Sequence, residues 1–309
     1  MKKLINRRRF LQGSLVASAA ATFPLAKNTA AATFEGYPDS MGVLVDLSRC
    51  VGCRSCEAAC NKEQNLPAPE KPFNDFSVFD ELSHGQKRRT DETRYTVVNR
   101  HDIPGLNHPL FRKIQCNHCL EPACLTSCFV NAYTKTPEGA VIYDASVCVG
   151  CRTCMIACPF NIPAFRYSSA FDPKIMKCIF CHDTRLVKGL PPACVEACPQ
   201  EVMTFGRRTD ILEMGRQRIR ENPAAYVDHI YGEHEAGGTA WMYLSPVPFE
   251  QVEFNTAVPK EPILNYVKDF LSIVPMVLTI WPALFTGIHL LATKKEKMEQ
   301  QKKSEGSES

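Results

Sequence analysis

Four cysteines fall close together at Cys148, Cys151, Cys154 and Cys158, spaced C-x2-C-x2-C-x3-C and followed by Pro159. This is the spacing by which a chain wraps a cubane iron–sulfur cluster. Three thiolates on a tight turn take three irons, and the fourth, one helical turn further on, normally serves a different cluster. Such a run implies another beside it.

The chain supplies three more. Its 309 residues hold 16 cysteines in four groups of four: Cys50, Cys53, Cys56, Cys60; Cys116, Cys119, Cys124, Cys128; the run above; and Cys178, Cys181, Cys194, Cys198. Residues 46–60 and 144–158 are identical at ten of fifteen positions, and Pro122–Cys128 and Pro192–Cys198 share Pro-Ala-Cys-x3-Cys. The order is A-B-A-B, a duplicated two-run unit. Gly52 and Gly150 sit inside the turns, where a missing side chain lets backbone amides approach inorganic sulfur. Arg54 and Arg152 place positive charge beside an anionic cluster, either tuning its potential or simply lying at the surface.

Other uses of the cysteines fit less well. A disulfide framework would need eight relaxed bridges from thiols crowded into CxxC pairs. Zinc would leave the C-x3-C partners without a purpose. Cys178-Ile-Phe-Cys181-His182 matches a haem-attachment pattern, but covalent haem there would strand Cys194 and Cys198. His118 and His182 lie inside complete runs, so hydrogen bonding or exposure is expected of them rather than ligation.

The formal charge of +3 misleads, because residues 1–32 hold six of the 36 basic residues and no acid; the rest carries 30 basic against 33 acidic residues, a balance of −3. Nucleic-acid binding loses its main support. Residues 1–32 read as an export signal of the twin-arginine type, with Arg7 and Arg8 ahead of Phe10 and Leu11, a short apolar core, and small residues at Ala30, Ala31 and Ala32. That route exports folded proteins with their clusters already built.

Taken in order, 41–46 reads as a strand entering the first run. Residues 67–107 form a polar, proline-containing insert whose basic patch, Lys87, Arg88 and Arg89, reads as solvated loop surface. Residues 132–135 and 140–143 form a hairpin about Pro137, Glu138 and Gly139, and 202–206 repeat the exit strand. Residues 207–262 hold a helix from Arg208 to Arg220 and a segment with Trp241 and Phe249, a wrap for the cluster core or for a partner. Residues 263–293 read as a transmembrane helix, since Phe270 to Thr293 holds no charged residue. Lys294, Lys295 and Lys297 follow it, so the tail, 294–309, is expected to be cytoplasmic and disordered. Pro275 and Pro282 suggest a partner in the bilayer, and His289 could face its haem or quinone.

With CVGCRSC, CNHCLEPAC, CVGCRTCMIACP and PPACVEACP in place, the chain resembles the four-cluster iron–sulfur subunits of the dimethyl sulfoxide reductase family. The segment 229–249, the twin-arginine start and the single C-terminal span bring it nearest to two groups. These are the iron–sulfur subunit of the high-molecular-weight cytochrome c transmembrane complex and the uptake hydrogenase electron-transfer subunit. The resemblance implies an α+β fold: duplicated bacterial ferredoxin-like 2×[4Fe-4S] modules, 41–66 with 170–206 and 108–165, within a domain 33–206. It further implies four [4Fe-4S] clusters with crossed ligation. Cys50, Cys53 and Cys56 go with Cys198; Cys178, Cys181 and Cys194 with Cys60; Cys116, Cys119 and Cys124 with Cys158; Cys148, Cys151 and Cys154 with Cys128. Asn61 and Phe129 stand where proline is typical after the first and second runs. The implied role is a non-catalytic electron conduit on the periplasmic side of the inner membrane. It would join a multihaem cytochrome c or hydrogenase to an integral membrane quinone- or haem-binding subunit. The alternative is the iron–sulfur subunit of a molybdopterin oxidoreductase. No phosphate loop, catalytic triad or nucleotide fingerprint competes with this reading.

Overall fold

The computed structural model describes residues 37, 40–80, 87–169, 172 and 174–305; the expected export signal, 1–32, lies outside them. Strand β1, Met41–Asp46, is buried along nearly its whole length. It delivers the chain to the first cysteine run through a turn in which Asp46 Oδ1 accepts from the Ser48 N–H at 3.1 Å. At the equivalent place in the repeat, Asp144 Oδ1 accepts from the Ser146 N–H at 2.8 Å. The repeated Asp and Ser are thus turn residues, each folding the backbone back just ahead of a cysteine run.

Helix α1, Ser55–Glu63, carries Cys56 and Cys60 of the first run. Strands β2, Val97–His101, and β3, Leu110–Ile114, pair as an antiparallel hairpin. Helix α2, Ala123–Thr126, starts at Pro122 in the second run, and β4, Tyr133–Lys135, pairs with β5, Val141–Tyr143, as the hairpin into the third. Helix α3, Thr153–Ala157, carries the third run. Strands β6, Ala164–Phe165, and β7, Ile175–Met176, form a short ribbon. Helix α4, Ala193–Glu196, starts at Pro192 in the fourth run. Strand β8, Met203–Arg207, leads directly into helix α5, Arg208–Glu221. Strand β9 is Trp241–Leu244, and helix α6 runs from Ile263 to Glu305.

The central sheet has the order β8-β1-β9, with β8 antiparallel and β9 parallel to β1. The two-residue side-chain period divides its faces. Leu44, Met242 and Leu244 pack under Ile211, Leu212 and Ile219 of α5, while Val43, Val45, Trp241 and Tyr243 join the larger core with Phe180 and Phe249. The segment 207–262 therefore packs on the cysteine-bearing core through β9, which is buried at all four residues.

Two regions depart from the sequence reading. The insert 67–107 is not simply solvated loop: Val97 and Val98 of the hairpin are buried, and so is Arg88 of the basic patch. The cause is Glu57, on the inward side of α1. Its Oε1 accepts from Arg88 Nη1 at 2.7 Å and from the Val98 N–H at 2.6 Å, and its Oε2 accepts from Arg88 Nη2 at 2.8 Å. Arg54 closes the group, donating to Glu57 Oε2 at 3.1 Å and to the Asp75 carbonyl at 2.8 Å. Arg54 is therefore no surface charge, whereas its counterpart Arg152 is exposed, with its guanidinium 4.9 Å from the centre of the Phe165 ring. Lys87 and Arg89 donate to the carbonyls of Arg100 and Asn161.

The second departure is the tail. It continues α6 as helix to Glu305, as its run of Lys, Glu, Gln and Met favours. Residues 273–298 of α6 are long and apolar enough to cross a membrane, with mean hydropathy 1.7 and none of that surface buried within the chain. Pro275 and Pro282 lie inside this helix, and α6 packs against α2.

Glu57→Gln would keep the shape of that side chain while leaving two buried guanidinium groups without their carboxylate. Unpairing a buried charge costs about 3–5 kcal/mol, so thermal unfolding of the variant should show a correspondingly large fall in Tm. His101 provides a pH test. Burial first, then Lys87 and Arg112, push its pKa down to about 4. A folded pKa below the unfolded value of about 6.5 means that its contribution is intact above that pH and is lost as pH falls from there toward 4. His101→Leu should flatten this part of the stability profile, measured as Tm against pH.

Candidate metal centre

All sixteen cysteines are free thiols in the structure. In the first and third runs the turn is made by the same backbone. Gly52 and Gly150 both have φ of +70°, and Arg54 and Arg152 have φ of +60° and +62°. The Gly150 N–H lies 3.4 Å from Cys148 Sγ, as the Phe180 N–H does from Cys178 Sγ, so main-chain donors are turned toward thiol sulfur. A side chain at Gly52 would also meet the Phe111 ring, 2.3 Å from its nearest carbon.

Helix packing then mixes the runs. Helix α1 packs on α4, and α2 on α3. Cys50, Cys53, Cys56 and Cys198 line one cavity, and Cys60, Cys178, Cys181 and Cys194 line another. The thiols whose charge acts on Cys119 are Cys158, Cys116 and Cys124; those acting on Cys154 are Cys148, Cys151 and Cys128. Each run thus gives three thiols to one group and its fourth to another. The groups also adjoin in sequence: Cys56 acts with Cys194, Cys178 with Cys116, and Cys124 with Cys154. The result is a continuous series of four thiol groups.

Burial is the dominant influence on most of these thiols. It pushes Cys50 up to about 11 and Cys178 to about 12, and raises Cys56, Cys60 and Cys119 strongly. Cys151 is the contrast: exposed, and held below the usual thiol range by hydrogen bonding to Thr153. Thiolate ligands inside such an interior require compensating positive charge, which iron supplies on binding, so folding and metal loading are coupled. The donor set fits this. Among the described residues no three His, Cys, Asp or Glu close on a single ion. The two cavities instead set four thiols around a mostly apolar volume, the arrangement of a polynuclear cluster rather than of a mononuclear zinc site.

Buried cations add to the compensation, and the motif reading did not single them out. Lys113 is 4% exposed and lines both cavities. Lys177 is buried and donates to the Cys178 carbonyl at 3.0 Å; Lys135 donates to the His118 carbonyl at 3.2 Å. One signal was available: Lys113 and Lys177 both lie within three residues upstream of the second and fourth runs.

Of the two histidines inside the runs, His118 is fully buried and stacks on Phe180 at 4.8 Å between ring centres. Burial, followed by the charges of Lys177, Lys135 and Lys113, holds its pKa far below the usual range, so the ring is neutral. Its Nδ1 accepts from the Val141 N–H at 2.9 Å, which assigns the proton to Nε2, 3.5 Å from Cys178 Sγ. His182 pairs with Asp183 at the surface, 2.7 Å away. His118→Ala should keep a full complement of iron. It should also lose about 1–3 kcal/mol of stability, because a buried N–H is left without its acceptor. Metal analysis and thermal unfolding of the same sample check both.

Residues 108–208 match the 4Fe-4S dicluster domain family. A protein of Nitratidesulfovibrio vulgaris (strain Hildenborough) is 52% identical over 306 residues, covering 97% of this chain and 80% of that one. Hydrogenase-2 operon protein HybA of Escherichia coli O157:H7 is 34% identical over 282 residues, 81% of this chain and 83% of that protein. The iron–sulfur subunit of the nitrate-inducible formate dehydrogenase of Escherichia coli K12 is 30% identical over 232 residues, 74% and 76% of the two chains. The chain therefore belongs to the 4Fe-4S family of HybA and the formate dehydrogenase iron–sulfur subunits, and is an electron-transfer iron–sulfur subunit.

Proposed function

We propose that the chain holds four [4Fe-4S] clusters and carries electrons between a periplasmic donor and an integral membrane subunit that exchanges them with quinone or haem. The ligand sets are Cys50, Cys53, Cys56 and Cys198; Cys60, Cys178, Cys181 and Cys194; Cys116, Cys119, Cys124 and Cys158; and Cys128, Cys148, Cys151 and Cys154. The observation that carries this reading is the unbroken series of thiol groups, linked through Cys56 with Cys194, Cys178 with Cys116 and Cys124 with Cys154. When bound, the clusters supply one-electron redox chemistry without proton or group transfer. The chain's own residues supply the thiolates, the main-chain N–H donors at Gly150 and Phe180, the buried ammonium groups, and an apolar packing that keeps water from the sulfurs.

The two ferredoxin-like modules are 41–66 with 170–206, and 108–165, in a four-cluster subunit of the dimethyl sulfoxide reductase type. A twin-arginine signal at 1–32 takes the domain to the periplasmic side. The span 263–293 anchors it there, and 294–309 remains cytoplasmic. Packing of α6 against α2, the helix that carries Cys124, favours the pair of groups built by the second and third runs as the membrane-facing end. The donor is a multihaem cytochrome c or a hydrogenase, the latter favoured by the likeness to HybA. The second reading, a formate dehydrogenase or related molybdopterin complex, rests on the 30% identical relative.

Purification in mild detergent separates the two: a hydrogenase or multihaem cytochrome co-purifies under the first reading, a molybdenum-containing subunit under the second. After subtraction of what the co-purifying subunits bring, the preparation should contain about sixteen iron and sixteen acid-labile sulfide per chain. Cys158→Ser and Cys151→Ser should each remove a different signal in cluster-resolved spectroscopy, and loss of one and the same signal from both would falsify the crossed assignment.

A further inference from the structure

Lys113 lies in strand β3, three residues before Cys116, yet it lines the two cavities built by the first and fourth runs. It is 4% exposed and has no carboxylate partner in either cavity. Its Nζ donates to Gln115 Oε1 at 2.9 Å and stands 4.4 Å from the centre of the Trp241 indole, which is itself fully buried. Gln115 is held in turn by a hydrogen bond from its Nε2 to Tyr243 Oη at 2.6 Å, and both residues are buried. The ammonium is thus fixed by a chain of buried contacts from the central sheet. Cys56 on α1 and Cys194 on α4, from different runs, are among the thiols of the two cavities that it lines.

We propose that Lys113 is a positioning residue shared by the two cluster sites of the first and fourth runs: its one buried ammonium raises the reduction potential of both and leaves the pair built by the second and third runs unaffected. The inference rests on the four-cluster reading. Taking up one electron makes either site one unit more negative, and a fixed positive charge in an interior of low dielectric favours the more negative form. One ammonium between two sites raises both potentials together, and reduction of the first site offsets part of the charge that favours reduction of the second. The groups of the second and third runs have other cations, Lys135 beside Cys119 and Cys116, and Lys177 beside Cys124.

The test uses the detergent-purified complex carrying Lys113→Met, which keeps the apolar length and removes the charge. Iron and sulfide are measured first in the wild-type complex, with the content of the co-purifying subunits subtracted; fewer than about sixteen of each per copy of this chain would mean that the four-cluster reading itself fails. In a redox titration followed by electron paramagnetic resonance, two of the four reduction steps should move to lower potential and two should stay. Lys113→Arg, which retains the charge, should restore the two that moved. Unmoved potentials in a fully loaded Lys113→Met complex would overturn the inference, as would an equal shift of all four steps or a shift of the same size in Lys113→Arg. Should Lys113→Met lose iron, Lys113→Gln takes its place. If neither neutral variant loads while Lys113→Arg does, the charge serves assembly rather than potential and the inference falls; if the arginine variant fails too, the role is packing alone and the inference falls as well.

Discussion

Everything in the cysteine-bearing domain depends on α1 packing against α4 and α2 against α3. None of these helices is long enough to hold itself together in water: α1 has nine residues and α4 four. They are ordered by each other, by the turns that launch them and by the sheet beneath. Their contact brings the fourth thiol of one run into the group begun by another, so the paired runs cannot come apart without dismantling two groups at once. Strand β1 makes this possible, since β8 and β9 clamp it from both edges and tie the start of the first run to the exit from the fourth.

Charge is managed inside the same framework. Fifteen of the sixteen thiols are half-buried or buried and would repel one another as thiolates, and burial pushes Cys50, Cys178 and others toward the neutral form. The chain answers with lysines that are themselves buried, held by carbonyls, by an amide and by an aromatic face. Glu57 is the mirror case, a carboxylate deep enough to need two arginines, one from its own turn and one from the insert. The insert is thereby bound to the helix that carries Cys56 and Cys60, which explains why a polar, proline-containing stretch is ordered at all.

Much of this was legible in the residues. The CxxC spacing, the A-B-A-B repeat and the Asp-x-Ser turns are local patterns, and local patterns fix local backbone. The hairpin of β4 and β5, the exit strand β8 and helix α5 appear within a residue or so of their expected bounds for that reason. The long uncharged stretch from Phe270 to Thr293 could hardly be other than helix. The insert was misread because its polarity is that of its side chains as a list; Arg88 is buried by a carboxylate 31 residues away, and composition cannot see that partner. The tail was misread for the opposite reason, because a charged composition suggested disorder where its helix propensity and the preceding helix carry the backbone on to Glu305.

The sequence by itself determined the chemistry: sixteen thiols in four sets of spacing suited to iron–sulfur clusters, a duplicated unit, and one segment apolar enough to span a membrane. Tertiary structure alone decided which thiols share a cavity, that the four groups form a series, and that Lys113 lines the two cavities built by the first and fourth runs. Spacing constrains only neighbours along the chain, whereas these relations depend on helix and strand contacts between residues up to two hundred positions apart, formed when the two edges of β1 are closed.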